Sequence, residues 1–244
     1  MDLLTSRFFT IRDERSDHFV LPLPSAWWSR PYEYSWASQF TEESDTVLDA
    51  ACGIEHPYKF YLLDTCREVY ACDLDERVLS RSAMFHELRQ IYGQEATDKL
   101  PEKYFSRIHY SRASLTELPY ADRMFDKIFC ISVLEHLKDL FNKHNITFGF
   151  TILRLFLRND LYVALREFRR VLKDDGLIIM TFDYPDINLA YMSMISNALG
   201  FIPAGHLERE IPADAIHFYF QRKDFFCYRL VLKKSTNKTR GFEK

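Results

Sequence analysis

Thr46-Val47-Leu48-Asp49-Ala50-Ala51-Cys52-Gly53-Ile54-Glu55-His56-Pro57 is the stretch that decides the fold. Val47 and Leu48 are apolar strand residues, and the small residues from Ala50 to Gly53 allow a turn that approaches a ligand closely. Tyr58-Lys59-Phe60-Tyr61-Leu62-Leu63 then resumes with helix-compatible spacing. A buried strand, a tight turn and a helix start, in that order, predict an open parallel sheet. A ligand of such a sheet sits at the carboxyl ends of the strands, where the helices begin.

Glu68-Val69-Tyr70-Ala71-Cys72-Asp73-Leu74-Asp75 is a second strand that ends in acid, and Asp73 lies 24 positions after Asp49. That gap is close to the roughly 20 residues by which a dinucleotide-type fold places a carboxylate on a ribose hydroxyl pair. A carboxylate accepts from both hydroxyls and has no comparable role with a phosphate. A lone acid after a strand is more often a helix cap. The joint order of strand, turn, helix, strand and acid is what points to a nucleoside.

Five ordered segments then carry a family resemblance. Asp49-Ala50-Ala51-Cys52-Gly53 resembles the D-x-G-C-G signature of class I S-adenosylmethionine-dependent methyltransferases, and Asp73 falls where that family keeps its ribose-binding acid. Leu118-Pro119-Tyr120 followed by Phe125-Asp126-Lys127-Ile128-Phe129-Cys130 resembles its fourth-strand motif, and Val133-Leu134-Glu135-His136-Leu137 the turn after it. The run from Ala164 to Leu177 is similar to its helix and fifth strand, so the match covers roughly residues 44 to 183.

The resemblance implies an α/β fold with a Rossmann-like, seven-stranded, mostly parallel sheet. It implies S-adenosyl-L-methionine as cofactor, held by Asp49, Ala51, Cys52, Gly53 and Glu55 in the turn. Asp73 and Leu74 would follow on the second strand, Ser114 and Leu115 after the third, and Cys130 on the fourth, whose last backbone carbonyls are expected near the transferred methyl. Three positions depart from the pattern. The family's first glycine is Ala51 and its last is Glu55, which makes the turn bulkier, and its adenine-contacting acid is Ser114, whose hydroxyl is a weaker partner for an amine. These departures keep open a second reading, a cofactor-binding module that has lost catalysis.

Residues 1–43 precede the core and carry Ala26-Trp27-Trp28-Ser29-Arg30-Pro31-Tyr32-Glu33-Tyr34-Ser35-Trp36-Ala37. Its rings either cap the hydrophobic core or form a helical lid that excludes water from a sulfonium and stabilises it. The segment is similar to an S-R-x-x-E-Y-x-W stretch ahead of the core in a subset of these methyltransferases, which favours the lid. Arg30 and Tyr34, four apart on one helical face, are expected at the cofactor's carboxylate.

At 244 residues, 47% hydrophobic and 27% charged, the chain is long enough for one sizeable core, taken as a methyltransferase domain at 44–244. A net charge of −3 supplies no general field for nucleic acid. The amino-terminal residues show no apolar signal region and no segment reaches the length of a membrane span, so a cytoplasmic protein is expected. The five cysteines form no C-x-x-C pair, which supports neither a zinc site nor a disulfide framework.

The remaining elements are read from pattern. Asp75 to Tyr92 is a helix ended by Gly93, Gln94 to Lys103 a surface loop, Ile108-His109-Tyr110 the third strand, Lys127 to Ser132 the fourth and Leu177 to Asp183 the fifth, after an Asp174-Asp175-Gly176 turn. A helix at Leu189 to Leu199 leads to a closing hairpin of Ile216 to Phe220 and Phe225 to Leu232. His136, at the mouth of the cleft, is the candidate catalytic base, against a reading in which the Glu135-His136 pair only fixes the loop. Asp183 and Tyr184 are acceptor-contact candidates, against simple turn chemistry. An apolar insertion at about 138–160 is read as a pocket wall or a homodimer face.

The resulting expectation is methyl transfer to an oxygen or nitrogen of a small-molecule acceptor, a sugar or secondary metabolite, with protein methylation as an alternative. A nicotinamide-dependent oxidoreductase is disfavoured. Tyr219 to Lys223 matches Y-x-x-x-K, but on a strand, where the two side chains do not meet, and the turn is not G-x-G-x-x-G.

Overall fold

The computed structural model describes residues 3–137 and 159–235. Its strands are β1 (Arg7–Phe8), β2 (His18–Phe19), β3 (Leu21–Pro22), β4 (Thr46–Ala50), β5 (Glu68–Asp73), β6 (His109–Arg112), β7 (Phe125–Ile131), β8 (Leu172–Tyr184), β9 (Phe201–Pro203), β10 (His217–Phe220) and β11 (Lys223–Lys234). The α-helices are α1 (Arg30–Ser38), α2 (Tyr58–Thr65), α3 (Arg81–Tyr92), α4 (Gln94–Asp98), α5 (Lys103–Ser106), α6 (Asp160–Val171) and α7 (Leu189–Ala198).

The main sheet runs β6-β5-β4-β7-β8-β11-β1, with β4 to β8 parallel and β11 antiparallel to β8. Period-two alternation gives each inner strand two buried faces. Val47, Val69, Phe129 and Ile179 join α2 and α3 in one core cluster, while Leu48, Cys72, Ile128, Cys130 and Ile178 join α6 and α7 in the other. α6 shows how the sequence specifies such a helix. Asn159 Oδ1 accepts from Leu161 N at 2.8 Å to cap its start, and Leu161, Ala164, Leu165, Phe168 and Val171 recur on one face and are all buried.

The sheet has nine strands rather than seven. The two extra ones, β1 and β9, are short pieces on the far edge of β11, where β1 pairs its middle at Arg229 and Tyr228 and β9 its end, while the expected hairpin strand β10 pairs its start. Pieces of two or three residues leave no periodic trace in a sequence. The predicted Asp174–Gly176 turn is a bulge, since Phe125 pairs with Leu172 but Lys127 with Leu177, which pushes the intervening residues of β8 out of register. The predicted surface loop at 94–103 instead contains α4 and the start of α5, because Thr97 and Tyr104 are buried there and the Tyr104 hydroxyl donates to Asp64 at 2.5 Å. The insertion read at about 138–160 lies almost wholly outside the described residues, and with it the expected dimer face.

The amino-terminal segment belongs to the same core. Phe9, Phe19, Tyr34 and Trp36 share one cluster with Val47 and Phe129. α1 lies over the carboxyl ends of the central strands, and its Glu33, fully buried, accepts hydrogen bonds from Ser132 Oγ after β7, Thr181 Oγ1 on β8 and Cys227 Sγ on β11.

Candidate active site

The turn from β4 to α2 keeps one glycine, Gly53, and has Ala51 and Glu55 where the family pattern has others. Ala51 and Gly53 both adopt left-handed backbone, with φ of 57° and 60°. At Ala51 this conformation costs about 1–2 kcal/mol, so the surroundings must hold it. Cys52 N donates to Cys72 O at 2.9 Å and Gly53 N to Asp73 Oδ2 at 2.9 Å, which stitches the turn to β5. From beneath, fully buried Lys59 Nζ donates to the carbonyls of Gly53, Ile54 and His56 at 2.8, 3.2 and 2.5 Å. A side chain at Gly53 would bring its Cβ 2.5 Å from the His56 ring, which would have to move off Trp27 to make room.

This turn is one wall of a cavity of about 350 Å³ at the carboxyl ends of β4, β5 and β7. Arg30, Tyr34, Asp49, Ala51, Cys52, Gly53, Glu55, Asp73, Leu74, Ser114, Leu115 and His136 all line it. Cys130 does not. A residue at that place in β7 points to the opposite face of the sheet, where Cys130 is buried in the cluster with Leu48 and Cys72, and it is Ile131, Ser132 and Val133 that reach the cavity.

Asp73 is held rigidly, with Oδ2 on Gly53 N and Oδ1 accepting from Asp75 N at 2.9 Å. Each oxygen keeps a second lone pair for a ligand. Asp49 is different: its Oδ2 is buried without a partner. Burial pushes its carboxyl up to about 7, with Lys59 opposing and the Asp73 charge adding. The Tyr58 hydroxyl, also on the cavity wall, is likewise buried and unpaired. The Ser114 hydroxyl is engaged with Thr116 Oγ1 at 2.7 Å.

A second hollow of about 210 Å³ adjoins the first and shares Arg30, His56, Ser132 and His136 with it. Ala26, Trp27, Trp28, Ser29, Glu135 and Asp183 complete its lining. Trp27 stacks on the His56 ring at 4.2 Å, and His56 Nδ1 meets the Tyr34 hydroxyl at 2.8 Å. Burial, then the charges of Arg30 and Lys59, hold the His56 pKa well below the ordinary value, so the ring is neutral. Arg30 pairs with Glu33. Burial opposes ionisation of Glu33, but Arg30 and the Ser132 and Thr181 hydroxyls outweigh it and keep the carboxylate charged. A larger and more open hollow of about 940 Å³ lies between the amino-terminal segment and residues 206–214. It sits at the antiparallel edge, away from the strand ends, so the smaller pair is the candidate site.

Sequence reasoning missed several of these residues. His56 and Tyr58 stood in or beside the decisive stretch without a role. Lys59 left a signal, a single cation in the apolar run Tyr58–Leu63, and Glu33 another, an acid amid aromatic residues.

The family described as "Methyltransferase domain" matches residues 48–180, more than half of the chain. The chain belongs to the class I S-adenosylmethionine-dependent methyltransferases. No curated protein sequence matches this methyltransferase significantly. Among solved structures, its fold is similar to that of the cyclase SpnF, at 14% identity and a TM-score of 0.56 over 95% of this chain and 87% of that one. It is also similar to the PH0226 protein of Pyrococcus horikoshii OT3, at 18% identity and 0.52 over 85% and 90%, and to YcgJ of Bacillus subtilis, at 16% identity and 0.51 over 83% and 98%. At these identities the likeness establishes the fold. The methyltransferase is an enzyme that uses S-adenosylmethionine as cofactor. No helix among its described residues is long and apolar enough to cross a membrane.

Proposed function

We propose that this enzyme transfers the methyl group to an oxygen or nitrogen of a small-molecule acceptor that enters the second hollow. The observation that carries this reading is the pair of adjoining cavities, one sized for a nucleoside with an amino-acid arm and one smaller, with His136 and Arg30 on the wall of both. When bound, the cofactor supplies an electrophilic methyl on a sulfonium.

In this reading Asp73 accepts from the two ribose hydroxyls, and Ala113, Ser114 and Leu115 flank the adenine. The unpaired Asp49 Oδ2 and Tyr58 hydroxyl fit the methionine ammonium, because a donor there satisfies atoms that otherwise have none. Arg30, charged and anchored by Glu33, receives the carboxylate. Residues 1–43 act as the lid, with Trp27 and Trp28 excluding water from the transfer. His136 takes the proton that the acceptor loses as it attacks. A cytoplasmic setting is part of the reading, supported by five cysteines that are all buried and unbridged.

The test is transfer of a radiolabelled methyl group from S-adenosylmethionine into a fractionated cell extract. Label in the low-molecular-weight fraction is expected. Label confined to protein would replace the small acceptor with a protein one.

A further inference from the structure

Two carboxyl oxygens in the smaller hollow have no donor among the described residues. Glu135 Oε2 and Asp183 Oδ1 are both covered from solvent and unbonded, and both residues line that hollow. They come from different elements, the 3-10 turn Leu134–His136 after β7 and the end of β8. A covered carboxylate oxygen without a hydrogen-bond donor is costly, so an arrangement with two of them is complete only with a ligand that donates.

The charge balance says what kind of donor. Among the described residues, the charged and titratable groups around the pair are Arg30, Glu33, His56, His136 and Asp186, with the thiols of Cys130 and Cys227, which burial keeps protonated. Arg30 is the one cation among them whose charge is fixed, and it is tied to Glu33. Burial and then the charge of Asp183 push Glu135 up to about 8. Burial and then Glu33 push Asp183 up to about 6, with Arg30 opposing and Asp186 adding. With both carboxyls ionised the hollow would hold more negative charge than its described residues neutralise, so at pH 7.5 Glu135 stays largely protonated until a cation enters. Two indoles also line it: Trp27 lies against His56, and Trp28 stacks on Phe218 at 6.1 Å.

Resting on the small-acceptor reading above, we propose that this hollow is the subsite for a protonated amine, with its ammonium between Glu135 and Asp183 and its carbon skeleton against Trp27 and Trp28. An ammonium has donors for both oxygens and stabilises their ionised forms, and indole faces attract cations. An alcohol supplies one donor and no charge, and an anionic acceptor is repelled. Before the nitrogen attacks it must lose one proton. One N–H bond breaks, its electron pair stays on the acceptor nitrogen, and the proton bonds to a free ring nitrogen of His136. The carboxylates hold the amine and His136 takes the proton.

The probes are benzylamine, benzyl alcohol and benzoate, which share one ring and differ in charge. Each is titrated calorimetrically, at pH 7.5, into the protein saturated with S-adenosylhomocysteine. Benzylamine should bind at least about tenfold more tightly than benzyl alcohol, and benzoate most weakly. The Glu135→Gln/Asp183→Asn double variant should lose that preference while it still binds S-adenosylhomocysteine. If the double variant fails to bind S-adenosylhomocysteine, Asp183→Asn alone carries the same comparison. Equal affinity for the three probes, undetectable benzylamine binding, or a preference that survives the substitutions would overturn the proposal. A methylated alcohol recovered from the extract experiment would overturn this subsite and leave the small-acceptor reading standing, whereas label found solely on protein would remove both.

Discussion

The two hollows at the carboxyl edge of the sheet are walled by acids in opposite conditions. On the cofactor side both oxygens of Asp73 are fixed by backbone amides of the turn and of its own strand end. On the acceptor side Glu135 and Asp183 each keep an oxygen with nothing to accept from. One wall of the first hollow is built by neighbours in sequence, a strand, a turn and the next strand. The second is assembled from α1, the turn after β7 and the end of β8, which are far apart in the chain. On the proposed assignment, the cofactor half is shaped before anything binds, whereas two carboxyl oxygens of the acceptor half are unpaired until a ligand arrives. Asp49 is the exception that links them: it belongs to the prebuilt turn yet has an unpaired oxygen.

If that contrast is right, changes on the cofactor side alter stability and affinity, and changes on the acceptor side alter turnover. The largest effect is expected for Lys59→Met, which leaves three turn carbonyls without their donor and Asp49 without its nearby cation. A loss of about 3–5 kcal/mol in a urea melt is expected, and a loss near zero would mean the turn is not braced from below. Asp73→Ala should weaken S-adenosylmethionine binding at least about 100-fold by stranding the ribose hydroxyls and freeing Gly53 N. Unchanged calorimetric affinity would remove the ribose assignment.

Asp49→Asn should cost about 10–100-fold in cofactor affinity, and it carries a pH signature. A carboxyl raised to about 7 in the free protein must ionise to meet an ammonium. Cofactor affinity should then be constant above pH 8 and fall roughly tenfold per unit below pH 7, with proton release on binding that is visible when titrations in two buffers are compared. The same shift works against the free fold, because its Asp49-linked stability is present below the unfolded value of 3.8 and is lost as pH rises toward 7. The Asn variant should lack both slopes; if it keeps them, the signature belongs to another group. The smallest effect is expected for His136→Ala, roughly a tenfold lower kcat with cofactor affinity nearly intact, because the exposed ring can be partly replaced by water. A normal rate would return His136 to a structural role.

What was legible in the sequence follows the same division. The parallel core, the turn and Asp73 could be read because hydrophobic period, small residues and a fixed spacing all act locally. The structure brings all but one of the expected cofactor residues to one cavity, and Cys130 missed because motif position alone does not say to which face a strand residue points. β1 and β9 were illegible, since two or three residues pair only because β11 offers an edge. The roles of Lys59 and Glu33 were hidden for a related reason: each is explained by its acceptors or donors, and those of Glu33 lie on strands far along the chain.

Glu33 also limits how the aromatic segment can move. Since this one side chain fastens α1 to the ends of three strands, the helix cannot swing out as a rigid flap without breaking all of those bonds together. If the segment is the proposed lid, any opening that admits an acceptor must hinge ahead of Ser29, with the two tryptophans as the door and α1 as its frame.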